Sequence, residues 1–141
     1  MTTVERIRSS DTHDLRRRVL RGGDPTADVD WPEDASDTTF HLGGFDDSGT
    51  LVAISTWIPT GSTVQLRGMA TDPAFAGTGI ATLLLQAGLD ACRAAGADTV
   101  WANARTTALG FYEQAGFRAE GDVFETSATG LPHRRITLAL R

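Results

Sequence analysis

Lysine is absent from this 141-residue chain, and all thirteen cationic side chains are arginine. A P-loop, whose lysine follows a glycine, is therefore excluded, as is any mechanism built on a lysine Schiff base. Cysteine is almost absent too. A single residue, Cys92, allows no internal disulfide and no cysteine-rich metal site, and with only three scattered histidines no metal is expected. Cys92 falls among Leu84, Gly88, Ala91 and Ala95 in a helical pattern and reads as a small core residue. No apolar run reaches the ~18 residues of a membrane span. The opening Met-Thr-Thr-Val-Glu-Arg has no hydrophobic signal segment, so a cytoplasmic location is expected. No G-x-S-x-G turn marks a serine hydrolase. The net charge of −5 provides no global basic field for nucleic acid, and no basic aromatic stripe points to single strands. The local basic cluster Arg16, Arg17, Arg18 and Arg21 reads as a solvated helix face.

What the chain has is a hydrophobic content of 40%, enough for one modest core, and a regular alternation of patterns. Val4 to Arg8 alternates as a strand. Ser10, Asp11 or Thr12 can cap a helix to about Arg21 that turns Leu15, Val19 and Leu20 inward, with Gly22-Gly23-Asp24-Pro25 ending it. Residues 24–37 carry six acids, Trp31 and Pro32, and read as a solvated acidic loop or irregular helix. Strands follow at Thr38–Phe45, Thr50–Ile58 and Val64–Thr71, separated by turns at Asp46–Gly49 and Pro59–Ser62. From Gly79 to about Ala95, apolar residues at 80, 83, 84, 87 and 91 mark one helix face. Thr99–Ala104 is a strand, and Thr106 or Thr107 caps a short helix ending at Gly116. Phe117–Phe124 and Arg134–Leu140 are the closing strands. The order β-α-β-β-β-α-β-α-β-β predicts a single mixed α/β (α+β) domain spanning residues 1–141.

Two segments carry the chemistry. In Arg67–Leu85 a strand runs through a glycine-rich turn into a helix. Unpaired first-turn amides and the positive end of the helix dipole bind anions such as phosphate. Gly77 and Gly79 remove the side chains that would keep a phosphate from that backbone. About twenty residues further on lies Trp101-Ala-Asn-Ala-Arg-Thr-Thr-Ala-Leu-Gly-Phe-Tyr-Glu-Gln-Ala-Gly-Phe117.

Together these segments resemble the GNAT superfamily of acyl-CoA N-acyltransferases, well over residues 38–125 and more loosely over the whole chain. The family pattern [QR]-x-x-G-x-[GA] is represented by Ala76-Gly77-Thr78-Gly79-Ile80-Ala81, with Ala76 where glutamine or arginine is usual. Asn103, Phe111-Tyr112-Glu113 and Gly116-Phe117 carry the more specific match, and Gly130-Leu-Pro-His133 looks like a subgroup of small members. The resemblance implies a single mixed sheet, flanked by helices, whose central strands Val64–Thr71 and Thr99–Ala104 splay apart. The pantetheine arm of acetyl-CoA, or of another short acyl-CoA, would lie along Met69, Ala70 and Thr71. Its pyrophosphate would sit on the amides of Gly77, Thr78, Gly79, Ile80 and Ala81, with Asn103 on the pantetheine or the reacting carbonyl.

The implied activity is N-acetyl transfer by direct attack of an amine in a ternary complex. The acceptor could be a small molecule or a protein amine, and the resemblance also allows a homodimer. Tyr112, the one tyrosine, would sit beside the thioester sulfur as general acid. The attacking amine must first lose a proton. His133, Glu125 and His41 are the base candidates, with water as an alternative carrier. Two rivals remain. A Rossmann-type binder would need a third glycine where Thr82 stands. A non-catalytic acyl-CoA sensor or partner module would need only the binding half of the pattern.

Overall fold

The computed structural model describes residues 2–127 and 129–141. Seven strands form one mixed sheet in the order β1-β2-β3-β4-β5-β7-β6. They are β1 (Thr3–Ile7), β2 (Phe40–Phe45), β3 (Leu51–Thr60), β4 (Thr63–Thr71), β5 (Thr99–Arg105), β6 (Arg118–Glu125) and β7 (Pro132–Ala139). The helices are α1 (His13–Leu15), which continues as a wider π turn over Arg16–Leu20, then α2 (Ile80–Ala94) and α3 (Leu109–Gln114). The expected mixed α/β order holds. The first helix is broken into 3-10, α and π turns, and β7 starts at Pro132, so His133 lies inside a strand. Residues 24–37 stay irregular apart from one turn at Pro32–Ala35. Among the described residues no helix is long and apolar enough to cross a membrane.

Residues 52–57 are buried without alternation because β3 is covered on both faces. Val52, Ala53 and Trp57 join α2's Ile80, Leu84, Leu85 and Leu89 in the larger core, while Ile54 and Ala70 pack with Leu15 in the smaller one. The buried face of α2 is Ile80, Leu84, Leu85, Gly88, Leu89 and Cys92. The expected phase through Leu83 is wrong, since Leu83 is 44% exposed. Gly88 sets the true phase. A Cβ there would lie 1.8 Å from Trp57 Cζ2, so the indole occupies the space of the missing side chain. Trp57 Nε1 donates to Ser55 Oγ at 2.8 Å, which satisfies its buried polar atom.

The sheet opens at its centre. β4 and β5 pair in parallel only at Thr63–Gln65 against Thr99–Trp101, and beyond that point their facing edges have no partner strand. The cause lies on β4. Ile54 faces Ala70 and Thr56 faces Arg67, so Ser55 alone opposes Gly68 and Met69. This is a β-bulge, which bends the strand carrying it and adds local twist. Gly68 has φ +63, and a Cβ there would meet Trp31 Cη2 at 2.6 Å, so only glycine fits. β5 meanwhile stays paired with β7 along Thr99–Arg105, which holds it away from β4.

Candidate active site

A cavity of about 530 Å³ fills the gap between the two open edges. From β4 it takes the run Gln65–Thr71, from β5 Ala102–Arg105, and from the segments beyond them Tyr112 and His133. Met69, Ala70, Thr71, Asn103 and Tyr112 are thus brought to one space. Unpaired strand edges offer N–H and C=O groups that need partners, and an extended ligand can supply them.

Past the Thr71 end of the cavity the chain makes a tight turn. Asp72 N donates to Val52 O at 2.7 Å, and the Asp72 carboxylate accepts from Ala74 N at 3.0 Å. Gly77 and Gly79 follow with φ +77 and +87, and a Cβ at either would meet nothing within 4 Å. Neither glycine is needed to relieve packing, and the space above both is open. Leu83 N donates to Gly79 O at 3.1 Å, closing the first turn of α2 and leaving the amides of Ile80, Ala81 and Thr82 ahead of it. Thr78 donates to Phe75 O through both its Oγ1, at 2.6 Å, and its amide, at 3.3 Å, so contrary to expectation that amide is already engaged. The Ile80 side chain points into the core, so this residue has only its backbone to offer.

Tyr112 is 8% exposed. Its ring makes edge contacts with Phe111 at 5.1 Å and Phe117 at 5.6 Å. Burial pushes its phenol up to about 12, so it stays a proton donor over the whole working pH range. His133, also nearly buried, points Nδ1 at Leu131 O, 2.7 Å away. A carbonyl only accepts, so Nδ1 carries the hydrogen and the neutral ring keeps its lone pair on Nε2. Glu125 lies exposed at the end of β6, opposite Pro132, and is not part of the lining.

His41 is buried elsewhere. Its Nδ1 meets Thr56 Oγ1 at 2.8 Å, and its Nε2 is 3.6 Å from Asp34. Cys92 is core, and burial pushes its thiol up to about 11, far from a reactive thiolate.

The basic cluster and the acidic loop correct the reading from sequence. Arg16 is wholly buried, not solvated. Its guanidinium grips Asp34 with two bonds of 2.7 and 3.0 Å, donates to Val29 O and Thr56 Oγ1, and stacks 3.6 Å from the Trp31 ring. One member of the acidic loop is therefore the counter-ion of one member of the arginine run. Burial alone would raise the Asp34 carboxyl, but the Arg16 bonds, the Trp31 amide and nearby positive charge hold it below the usual range. His13, Asp30 and Asp34 bring ligand atoms within 4.8 Å of one another. With both Asp34 oxygens already on Arg16, that group is the surround of an ion pair.

Sequence reading also missed Trp31, Arg21, Arg67 and Arg105 on the cavity wall. Arg67 stands beside the bulge, Arg21 at the end of the broken first helix, Trp31 in the irregular loop and Arg105 at the end of β5, and no periodic signal marks these places as one wall.

Comparison with known proteins agrees with this geometry. The family model described as Acetyltransferase (GNAT) family matches residues 5–117. The uncharacterized N-acetyltransferase YitI of Bacillus subtilis is 31% identical over 137 residues, covering 92% of this chain and 91% of its own. Many solved structures share the fold, two of them as follows. The ribosomal-protein-S18-alanine N-acetyltransferase from Escherichia coli superposes with TM-score 0.77 at 18% identity, covering 99% of this chain and 94% of its own. An aminoglycoside 6'-N-acetyltransferase complexed with coenzyme A gives 0.77 at 14% identity, covering 99% and 97%.

Proposed function

The chain belongs to the GNAT family of acetyltransferases, and from that premise we propose that it acts as a single domain, transferring an acetyl group from acetyl-CoA to a primary amine. The observation that carries this reading is the cavity itself, with unpaired edges of β4 and β5 as walls and Tyr112 and His133 on its lining. The residues fit a coenzyme A thioester. The bared edge at Met69–Thr71 suits the amides of a pantetheine arm. The open space over Gly77 and Gly79 suits a pyrophosphate on the amides of Gly77, Gly79, Ile80 and Ala81, the Thr78 amide being turned to Phe75 O. Asn103, exposed on β5, is in reach of the cavity and has hydrogen-bonding groups to offer.

Bound acetyl-CoA supplies an activated carbonyl and a thiolate leaving group. The chain's part is to hold the amine and manage two protons. His133, with its lone pair on Nε2, takes a proton from the ammonium directly or through water. Of the three base candidates, it is the one on the lining. Tyr112 offers its hydroxyl hydrogen to the departing sulfur. One C–N bond forms, one C–S bond breaks, the amine gives up two protons to His133 and solvent, and the sulfur leaves as a thiolate held by the Tyr112 hydrogen bond and then takes one proton from solvent. Cys92, buried and held protonated, favours direct transfer over an acyl-cysteine.

The test is thiol release from acetyl-CoA across a panel of amines, with initial rates at varied concentrations of both substrates. Intersecting lines in double-reciprocal form are expected. Parallel lines would point to a covalent intermediate, and binding without thiol release to a non-catalytic acyl-CoA module.

A further inference from the structure

A second cavity, of about 710 Å³, adjoins the first, and Arg21, Arg67 and Arg105 line both. Arg21 and Arg105 are drawn to one atom. Arg21 Nη1 donates to Leu20 O at 3.1 Å, and Arg105 Nη2 donates to the same oxygen at 3.0 Å. Each guanidinium has five N–H donors, so most of them are uncommitted. Among the described residues neither has an ion-pair partner, although the chain carries five more acids than arginines. Arg67 is partly compensated by Glu33 at 3.1 Å and lies 4.2 Å from the Trp31 ring.

Asp24 and Asp28 also line the second cavity and keep their charge, but among the described residues neither ion-pairs with Arg21 or Arg105. Asp24 is turned onto Thr26 N and Oγ1, and Asp28 accepts from Asp30 N. Burial first, then repulsion from Arg105, Arg67 and Arg16, lowers the Arg21 pKa, and the opposing pull of Asp28 is the weakest influence. An arginine remains charged through such shifts, so the repulsion persists until an anion arrives.

Resting on the acetyl-transfer reading, we propose that this rim is the anion site of the acceptor. The reacting amine belongs to a molecule that also carries a carboxylate or phosphate. Its anion is clamped by Arg21 and Arg105, and its apolar part rests on Val19, Leu20 and Leu131. Such a clamp uses charge-assisted, forked hydrogen bonds and holds the amine end toward Tyr112 and His133 in the adjoining cavity.

The experiment uses the whole protein saturated with CoA. It is titrated with a set of N-acetyl amino acids as product mimics, with the matching N-acetyl amides, with N-acetyl-aminoethyl phosphate and with N-acetylspermidine. The carboxylates or the phosphate should bind at least ~10-fold more tightly than the neutral amides, the scale of hydrogen bonds to a charged group. Comparing those two arms identifies the anion. Arg105→Gln and Arg21→Gln should each abolish the preference, and Arg105→Lys should restore part of it. In turnover with the preferred free amine, the same variants should raise the acceptor KM while leaving the acetyl-CoA KM within about 2-fold. If the arginines merely cap the Leu20 carbonyl, only the melting temperature will move. Equal binding of acids and amides, preference for the polyamine, or no binding by any mimic overturns the inference. If acetyl-CoA turnover survives that outcome, the enzymatic reading stands without it, whereas absence of acetyl-CoA binding would sink both.

Discussion

Tyr112→Phe removes one oxygen from the wall of the cleft. Among the described residues that hydroxyl has no hydrogen-bond partner, and the ring contacts with Phe111 and Phe117 are kept by phenylalanine. The fold should therefore be indifferent, with a change below ~0.5 kcal/mol. The effect on catalysis follows from the phenol's pKa of about 12. Passing its proton wholly to a thiolate of ordinary pKa near ~8.5 is uphill by roughly 3.5 units, or ~5 kcal/mol. Complete transfer is thus the weaker contribution. Donation of a hydrogen bond to the charge developing on sulfur, worth about 1.5–3 kcal/mol, is the stronger one. Its loss corresponds to a fall in kcat of about 10–150-fold. Steady-state assay by thiol release should show that fall with the acetyl-CoA KM nearly unchanged. Because the phenol stays protonated, the wild-type rate should have no descending limb from this group up to about pH 10. A kcat within 2-fold of wild type at unchanged melting temperature would refute the reasoning.

Other consequences are as direct. Gly88→Ala drives a methyl into the Trp57 ring, where a Cβ would lie 1.8 Å from Cζ2, and should destabilise by about 1–3 kcal/mol or more in chemical denaturation. Asp34→Asn leaves the buried Arg16 guanidinium without its carboxylate, at a cost of about 3–5 kcal/mol read as a large drop in the denaturation midpoint. His41 has its pKa lowered chiefly by burial, so below about pH 6.5 the unfolded chain takes up a proton that the folded chain resists. Stability should fall on acidification from pH 7 toward 5, and His41→Gln should flatten that slope. Asp34, held low in the fold, adds a further loss only below about pH 4.

The order of elements along the chain was legible because strands carry alternation and glycine turns carry punctuation, whereas the splayed pair came with the family resemblance. The glycine turn was legible for the same reason, and Met69–Thr71, Asn103 and Tyr112 came with the family resemblance. Three things were not. The phase of α2 was lost because Leu83-Leu84-Leu85 is apolar on every side, and Gly88, the residue that fixes the phase, counts as nothing in a hydrophobic pattern. Arg16 was lost because its counter-ion, Asp34, is 18 residues away and both sit in stretches of like charge. The arrangement of Arg21 and Arg105 on one carbonyl was lost because it joins residues 84 positions apart through the end of a broken helix. Local patterns report which face of an element is apolar; they do not report which polar residue finds which partner.

The claim on which the chemistry depends is that the gap between β4 and β5 receives a coenzyme A thioester. Titration calorimetry with acetyl-CoA tests it most directly, with dephosphorylated pantetheine thioester as the control for the glycine turn. One site per chain is expected, in the micromolar-to-millimolar range common for enzyme substrates, and weaker for the control. No heat at millimolar acetyl-CoA, or equal affinity for both compounds, would contradict the account.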